Sequence, residues 1–348
     1  MGRSEKAFQV EGAREPHKNR QGVYDCKTAV VEVLPRRYFS RSHCHDAQRN
    51  EAWPWRNSKN TTFRQAVRLR TSCYAQRMLC TAEPAQELKP FVRKYCQLEV
   101  STHNSTLVWP IPARSIPCIE FTFGDPYLIR YVGGSRLGLT YPVALIGAKT
   151  HQRIQLGLQG HIETFTVLFQ PTALHRLFSL PAGLIVNEDY EADAVLNLRL
   201  ALLRTELGEA KSFGQRVAIA DRFFRRLIPR VNDQPGLEAV VGKMISQRGC
   251  VRVQALGDCM GLGLRQFERL FTSHLGIGPK AYARILRFEA AIYRKSVSSH
   301  NWTTIAHELG YFDQMHMIHD FQALSGESPK QLTPHFELLS SISADARV

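Results

Sequence analysis

Arg265 and Gln314 carry the side chains in this 348-residue chain best suited to reading a base pair. An arginine fork grips guanine O6 and N7 together, and a glutamine amide suits the N6 and N7 edge of adenine. Residues of related use stand around them. Leu264, Arg265 and Glu268 in one stretch, and Asp313, Gln314 and His316 in another, are candidates for contact with base edges. Arg269, Thr272, Lys280, Arg284 and His319 are candidates for phosphate oxygens, which fix register on a duplex without reading it. A solvated surface arginine is the plain alternative for Arg265, and the residue alone does not choose.

Two helical hairpins must position these groups. Residues 253–271, VQALGDCMGLGLRQFERLF, are echoed about fifty residues later by 303–321, TTIAHELGYFDQMHMIHDF. In each, an apolar pair opens a short helix (Leu256 and Cys259; Ile305 and Leu309), a glycine breaks it (Gly261; Gly310), and a second helix follows. The second helices are expected over 263–275 and 313–325, with Phe267, Leu270 and Phe271, and then Met317, Phe321 and Leu324, turned inward at helical spacing. Between the hairpins, 279–296 reads as one helix with Pro279 in its first turn and a stripe of Tyr282, Ile285, Leu286, Ala290 and Tyr293. Eighteen residues make a rod of about 27 Å. Successive major-groove faces lie about 34 Å apart, so such a rod can offer both second helices to adjacent grooves. Plain bundle packing is the competing reading of either hairpin taken singly.

Region 240–335 resembles the DNA-binding domain of the AraC/XylS family of bacterial transcription regulators. The resemblance is carried by Leu256 through Phe271, by Gly276-Ile277-Gly278-Pro279-Lys280-Ala281-Tyr282 and Arg287, by Ile305-Ala306, Leu309-Gly310-Tyr311, Asp313, His316 and Phe321, and by the closing Gly326-Glu327-Ser328-Pro329. Four positions depart from it. Gly263, Met315 and Gly278 stand where the family usually or often has serine, and His319 where an arginine is usual. Losing a serine at a helix start removes a cap or a phosphate hydrogen bond, and histidine is a weaker phosphate partner than arginine.

Composition sets wider bounds. The chain is long enough for two domains with separate cores, and its 44% hydrophobic content suits a globular protein. The net charge of +14 favours anionic partners. Yet residues 1–75 carry an excess of eight positive charges, while 76–240 and 241–348 carry three each, so pattern rather than charge identifies a nucleic-acid partner. Eight scattered cysteines with no C-x-x-C pair point to a reducing cytosol, and no run of apolar residues approaches a membrane span. No nucleophile elbow, catalytic carboxylate pair or Gly-Lys-Ser/Thr phosphate loop can be assembled, and Gly133-Gly134-Ser135 is followed directly by Arg136. No catalytic, cofactor or metal site is therefore expected.

Residues 1–77 are arginine-rich with Trp53-Pro54-Trp55, and are expected to be a largely disordered basic extension that could touch phosphate. Met78 directly precedes the first organised stretch, so an upstream segment that is not native coding sequence is a further alternative. His43-Cys44-His45 lacks supporting ligands for a metal. A short helix is expected over 83–95 from Pro84, Leu88, Phe91, Val92 and Tyr95. Strands follow at 107–109, 118–123, 127–132, 143–146, 153–158 and 163–169, parted by Gly124-Asp125-Pro126, Gly133-Gly134, Gly147 and Gln159-Gly160. Such spacing argues for a small antiparallel barrel or sandwich.

The family resemblance implies a cupin-like sensor here, carried weakly by Gly147 through His151, Gly160-His161 and Phe169-Gln170-Pro171. Whether its interior is a ligand pocket or a filled core stays open. His151 and His161 lack the companions of a metal cupin and read as surface or turn residues. Helices are expected at 172–178 and as a pair at 193–207 and 213–228 joined at Gly208, serving either as packing or as a dimer seam, and 229–236 as a linker.

The expected architecture is α+β and multidomain: a basic extension (1–77), a β-rich cupin-like barrel with a helical hairpin (78–228), a linker (229–236), an all-α domain of two helix-turn-helix motifs joined by a long helix (237–336), and a tail (337–348). The expected function is a sequence-specific DNA-binding transcription regulator in the cytoplasm, associated with the nucleoid, and without cofactor or membrane. Double-stranded DNA is its partner, with a small effector, a second copy of the chain and RNA polymerase as further expected partners. A DNA-binding protein that senses nothing, or a metal-dependent cupin-type enzyme fused to a DNA-binding domain, are the alternatives.

Overall fold

The computed structural model describes residues 64–68, 76–102, 106–132, 137–151, 154–228 and 235–335. The expected metal-like His43-Cys44-His45, most of the basic extension, most of the linker and the tail lie outside the described residues. In chain order the β-rich part runs through β1 (Arg64–Arg68), β2 (Gln76–Ala82), a 3-10 turn (Gln86–Leu88), β3 (Val92–Ser101), β4 (Leu107–Ile111), β5 (Cys118–Thr122), β6 (Leu128–Tyr131), β7 (Leu137–Leu139), β8 (Val143–Ile146), β9 (Ile154–Leu158) and β10 (His161–Phe169). It continues through α1 (Ala173–Phe178), β11 (Asp189–Glu191), α2 (Ala192–Leu196), α3 (Leu200–Glu209) and α4 (Phe213–Arg225).

All the pairings between these strands are antiparallel. One sheet has the order β1-β2-β3-β10-β5-β8-β11 and the other β4-β9-β6-β7. The larger sheet is covered on both faces, and the two-residue side-chain period sorts its residues. Phe165, Val167 and Phe169 of β10, with Ile119, Phe121, Val143 and Leu145 beside them, meet Leu174 and Leu177 of α1, Leu200, Leu203 and Leu207 of α3, and Val217, Ala220 and Phe224 of α4. The alternate residues Thr164, Thr166 and Leu168 face the smaller sheet, as do Ala144 and Ile146.

The expected helix over 83–95 is a correction. Leu88, Phe91, Val92 and Tyr95 are buried, as a helical stripe would require, but Pro90 interrupts the backbone and Val92 onward is β3, paired to β2 and β10. The β-rich part also starts before residue 78, because β2 opens at Gln76 and Arg64–Arg68 pairs onto it. The expected helix 193–207 is two helices. Asn197 turns left-handed at φ 48°, and Asp193 Oδ1 accepts from the Leu200 N–H at 2.7 Å, restarting the chain as α3. The joint falls after Glu209 rather than at Gly208, with the Ser212 hydroxyl capping α4. Leu200, Leu203 and Leu207 of α3 pack on the sheet.

The helical part comprises α5 (Pro235–Ser246), α6 (Val253–Cys259), α7 (Leu264–Leu275), α8 (Pro279–Val297), α9 (Trp302–Glu308), α10 (Gln314–Ser325) and α11 (Pro329–Leu332). Its core joins Leu237, Val240 and Met244 of α5 to Leu256, Phe267, Phe271, Tyr282, Phe288, Ile305, Leu309, Met317, Phe321 and Leu324. The repeat read in the sequence extends to backbone conformation. Gly261 and Gly310 turn the chain at φ +67°, and Gly276 and Gly326 end α7 and α10 at φ +72° and +71°. Of the apolar pair that marks α6, Leu256 is buried and Cys259 is exposed. Among the described residues no helix is long and apolar enough to cross a membrane, and no group of three or more His, Cys, Asp or Glu could hold a metal ion.

Candidate nucleic-acid interface

Helices α7 and α10 occupy equivalent places in the two repeats. Each turns aromatic residues into the core, Phe267 and Phe271 from one and Phe321 from the other, while α8 packs against both. On α7, Leu264, Arg265, Glu268, Arg269 and Thr272 are all exposed, so the five residues expected on the outward face share it. Arg265 and Arg269 are one turn apart, a spacing that lets one arginine address a base while the other reaches backbone phosphate. Lys280, in the first turn of α8, is exposed as well.

On α10 the picture is more committed. Asp313 caps the helix, its Oδ1 accepting from the His316 N–H at 2.7 Å, so one of its oxygens is taken up by the backbone. Gln314 is half-buried because its Oε1 accepts from the Thr303 hydroxyl at 2.7 Å, tying α10 to α9. The exposed His316 ring stands edge-on to Tyr311 at 5.5 Å, and the Arg287 guanidinium lies 5.0 Å from the centre of that same ring. His319 is exposed. Burial drives the Tyr311 hydroxyl well above the usual phenol range, with the Asp320 carboxylate adding to it.

Arg284 departs from its expected role. Its Nε and Nη2 both donate to Oδ1 of the buried Asp320, at 3.0 and 2.6 Å, so the guanidinium joins α8 to α10 instead of standing free for a phosphate. The uncapped start of α7 follows from sequence. Gly263 makes no side-chain cap hydrogen bond there, whereas Asp313 and Ser328 cap α10 and α11.

The β-rich part meets the helical part through a shared apolar cluster, with Ala113, Ile116, Ala148 and Leu168 packed among residues such as Leu275 and Ile277, and through polar and backbone contacts. Glu289 of α8 is buried and accepts from the Ser115 N–H and hydroxyl, both at 2.8 Å. The Ala113 N–H donates to the Leu324 carbonyl of α10 at 2.7 Å. Arg176 of α1 pairs with Glu238 of α5 at 2.7 Å, and the His175 and His274 rings lie 4.0 Å apart. Gly276, at the end of α7, sits so close to the 182–186 turn that a Cβ there would come within 2.7 Å of the Ala182 backbone.

Between the two sheets lies a cavity of about 110 Å3. Its walls are largely apolar, including Trp109, Ile129, Leu156 and Leu158, and one end gathers Arg114, Glu120, Tyr127 and Asp189. The Glu120 carboxylate accepts from the Tyr127 hydroxyl and, at 3.3 Å, from Thr166. Burial pushes Glu120 up, and these donors and Arg114 pull it back in part. Asp189 is paired with the buried Lys149 at 2.6 Å. Sequence reasoning passed over this group. The signal was there in Arg114 and Glu120, the two charges within the apolar, proline-punctuated WPIPARSIPCIEF, and in Glu289, a charge on the apolar stripe of α8. His151 and His161 form no pair: His151 meets the Thr150 hydroxyl, and His161 meets Ser101.

Residues 256–334 match the family described as "Helix-turn-helix domain", and residues 81–191 match a domain of unknown function, DUF6597. Over 102 residues the chain is 30% identical to the HTH-type transcriptional activator RhaS of Pectobacterium carotovorum subsp. carotovorum (strain PC1), covering 29% of this chain and 37% of that one. The helical domain belongs to the AraC/XylS family. RhaS of Pectobacterium atrosepticum matches to the same extent, so the chain spans about a third of the length of these curated relatives. Among solved structures, ToxT from Vibrio cholerae O395 aligns with 77% of this chain and 99% of its own at 9% identity and a TM-score of 0.40. The AraC-like transcriptional activator CuxR aligns with 77% of this chain and 81% of its own at 10% identity and a TM-score of 0.22.

Proposed function

We propose that this protein is a sequence-specific DNA-binding transcription regulator whose β-rich part takes a small effector into the cavity between its sheets. The observation that carries the DNA-binding half is the pair of equivalent helices, α7 and α10, set on one stiff helix. Nineteen residues of α8 give a rod of about 28 Å, close to the spacing of successive major grooves once the helix widths are added. Arg265 is the first choice for a base reader and Gln314 the second. Leu264, Glu268 and His316 line the same reading faces, with Asp313 at the α10 cap, while Arg269, Thr272, Lys280 and His319 serve phosphates.

The reading divides the chain into a β-rich sensor ending near residue 228, a linker, and the AraC-type domain. It assigns no catalytic residue and no cofactor. Action on double-stranded DNA in the cytoplasm, at the nucleoid, follows from it, with pairing of two copies and contact with RNA polymerase as parts of the same proposal.

Selection of bound sequences from a random DNA pool, followed by footprinting, tests it. The expected result is a defined site protected on two successive turns. Arg265→Ala is expected to cost about 1–3 kcal/mol on that site and to flatten preference at one base pair. Equal weakening on selected and random DNA would make Arg265 a phosphate contact, and failure to enrich any site would remove the reading.

A further inference from the structure

Arg114 is the group in the cavity whose hydrogen-bonding capacity is least used. Its Nη2 reaches the Cys118 sulfur at 3.5 Å, and its Nε has no hydrogen-bond partner among the described residues. No carboxylate is recorded within ion-pair distance of it among those residues. The two acidic side chains nearby, Glu120 and Asp189, favour the charged guanidinium through space but give their hydrogen bonds elsewhere, since Glu120 accepts from Tyr127 and Thr166 and Asp189 pairs with Lys149. A buried guanidinium is costly unless its donors meet an acceptor, and a charged acceptor answers it best. The other walls, with Trp109, Ile129, Ile154 and Leu156, offer an apolar body nothing to bond to.

We propose that the cavity binds a small monocarboxylate with an apolar body, its carboxylate held by the Arg114 fork and its hydrocarbon against the Trp109 and Leu156 wall. This rests on the reading of the cavity as an effector site and adds the ligand's chemical class. Size limits the ligand further. A cavity of about 150 Å3 takes benzene, so the present 110 Å3 suits an acid that is smaller than benzene as a whole, with a short hydrocarbon part such as that of butyrate. The position of Arg114 gives the carboxylate a route to the helical domain, because its neighbours Ala113 and Ser115 bond Leu324 of α10 and Glu289 of α8.

Calorimetry on the full chain without DNA, using propionate, butyrate and isobutyrate beside their primary amides and butylamine, tests the class. The acids are expected to bind and to raise the melting temperature, with the amides at least tenfold weaker and the amine without effect. Arg114→Met is expected to weaken the acids by about 10- to 100-fold, and Arg114→Lys, which keeps the charge and loses the fork, by less. Amides or the amine binding as well as the acids, or no binding by any acid, would overturn the proposal. The wild-type comparison of acid with amide stands even if the variants do not fold. Because DNA affinity is measured separately, with no acid present, loss of the DNA-binding reading and loss of this one are told apart.

Discussion

Glu289 of α8 holds Ser115 of the β-rich domain by two hydrogen bonds of 2.8 Å, one from the backbone N–H and one from the hydroxyl. The contact is buried, so the carboxylate answers two donors that water does not reach. Glu289→Ala leaves both unpaired and is expected to cost about 2–4 kcal/mol, read by urea denaturation. Glu289→Gln keeps an acceptor oxygen and is expected to cost less than half as much. Equal losses for the two would mean that packing volume, not hydrogen bonding, matters at this position.

The two reading helices begin differently, and the difference is measurable. Asp313→Ala removes the α10 cap and is expected to destabilise by about 1 kcal/mol. Gly263 is extended at φ −63°, and a Cβ there would meet only the Gln266 side-chain oxygen at 3.9 Å, so Gly263→Ser is expected to stabilise by a few tenths of a kcal/mol, about 0.5 at most. Thermal melts of the two variants should move in opposite directions.

Much of this domain was legible because its signals are local. Glycines that must turn left-handed, a proline at the first turn of α8 and aromatic residues at helical spacing fix each hairpin within a few residues. The β-rich part was legible in its strands and opaque in its assembly. Val92 and Tyr95 belong to a strand covered on both faces, where burial no longer alternates cleanly, and the same residues then imitate a helical stripe. The short β7 and β11 exist through their partners β6 and β8, which sequence spacing does not reveal. At the candidate interface the exposed faces were foreseen. That Arg284 answers Asp320, and that Gln314 leans on Thr303, depends on neighbours 36 and 11 positions away.

His175 gives the domain contact a pH dependence. Burial, and then the neighbouring His274, hold its imidazole below the ordinary histidine value. The folded state therefore binds this proton less readily than the unfolded chain, so stability is full above the unfolded value near 6.5 and falls as the solution is acidified through it. Melting between pH 7.5 and 5.5 should show this loss, and His175→Gln should lessen it. An unchanged slope in the variant would assign the effect elsewhere.

The described cysteines should differ in reactivity. Burial pushes Cys96 up to about 12 and Cys118 up to about 11, while Cys250 and Cys259 are exposed, with burial raising Cys250 as well. Thiolate is the reactive form, so brief iodoacetamide treatment of folded protein at pH 7.5 is expected to label Cys259 ahead of Cys250 and to spare Cys96 and Cys118. Peptide mass mapping checks the order. Early modification of Cys96, which lines the cavity, would mean that the cavity opens readily to reagents.

The close seating of Gly276 against the Ala182 turn has a consequence for how the chain can be divided. Neither half presents a clean surface there: the end of α7 fits a notch made by the other domain, with no room for even a methyl group. A protease nick between residues 228 and 235 is expected to leave two fragments that still hold each other, because the notch acts together with the Glu289–Ser115 and Arg176–Glu238 contacts and the shared apolar cluster.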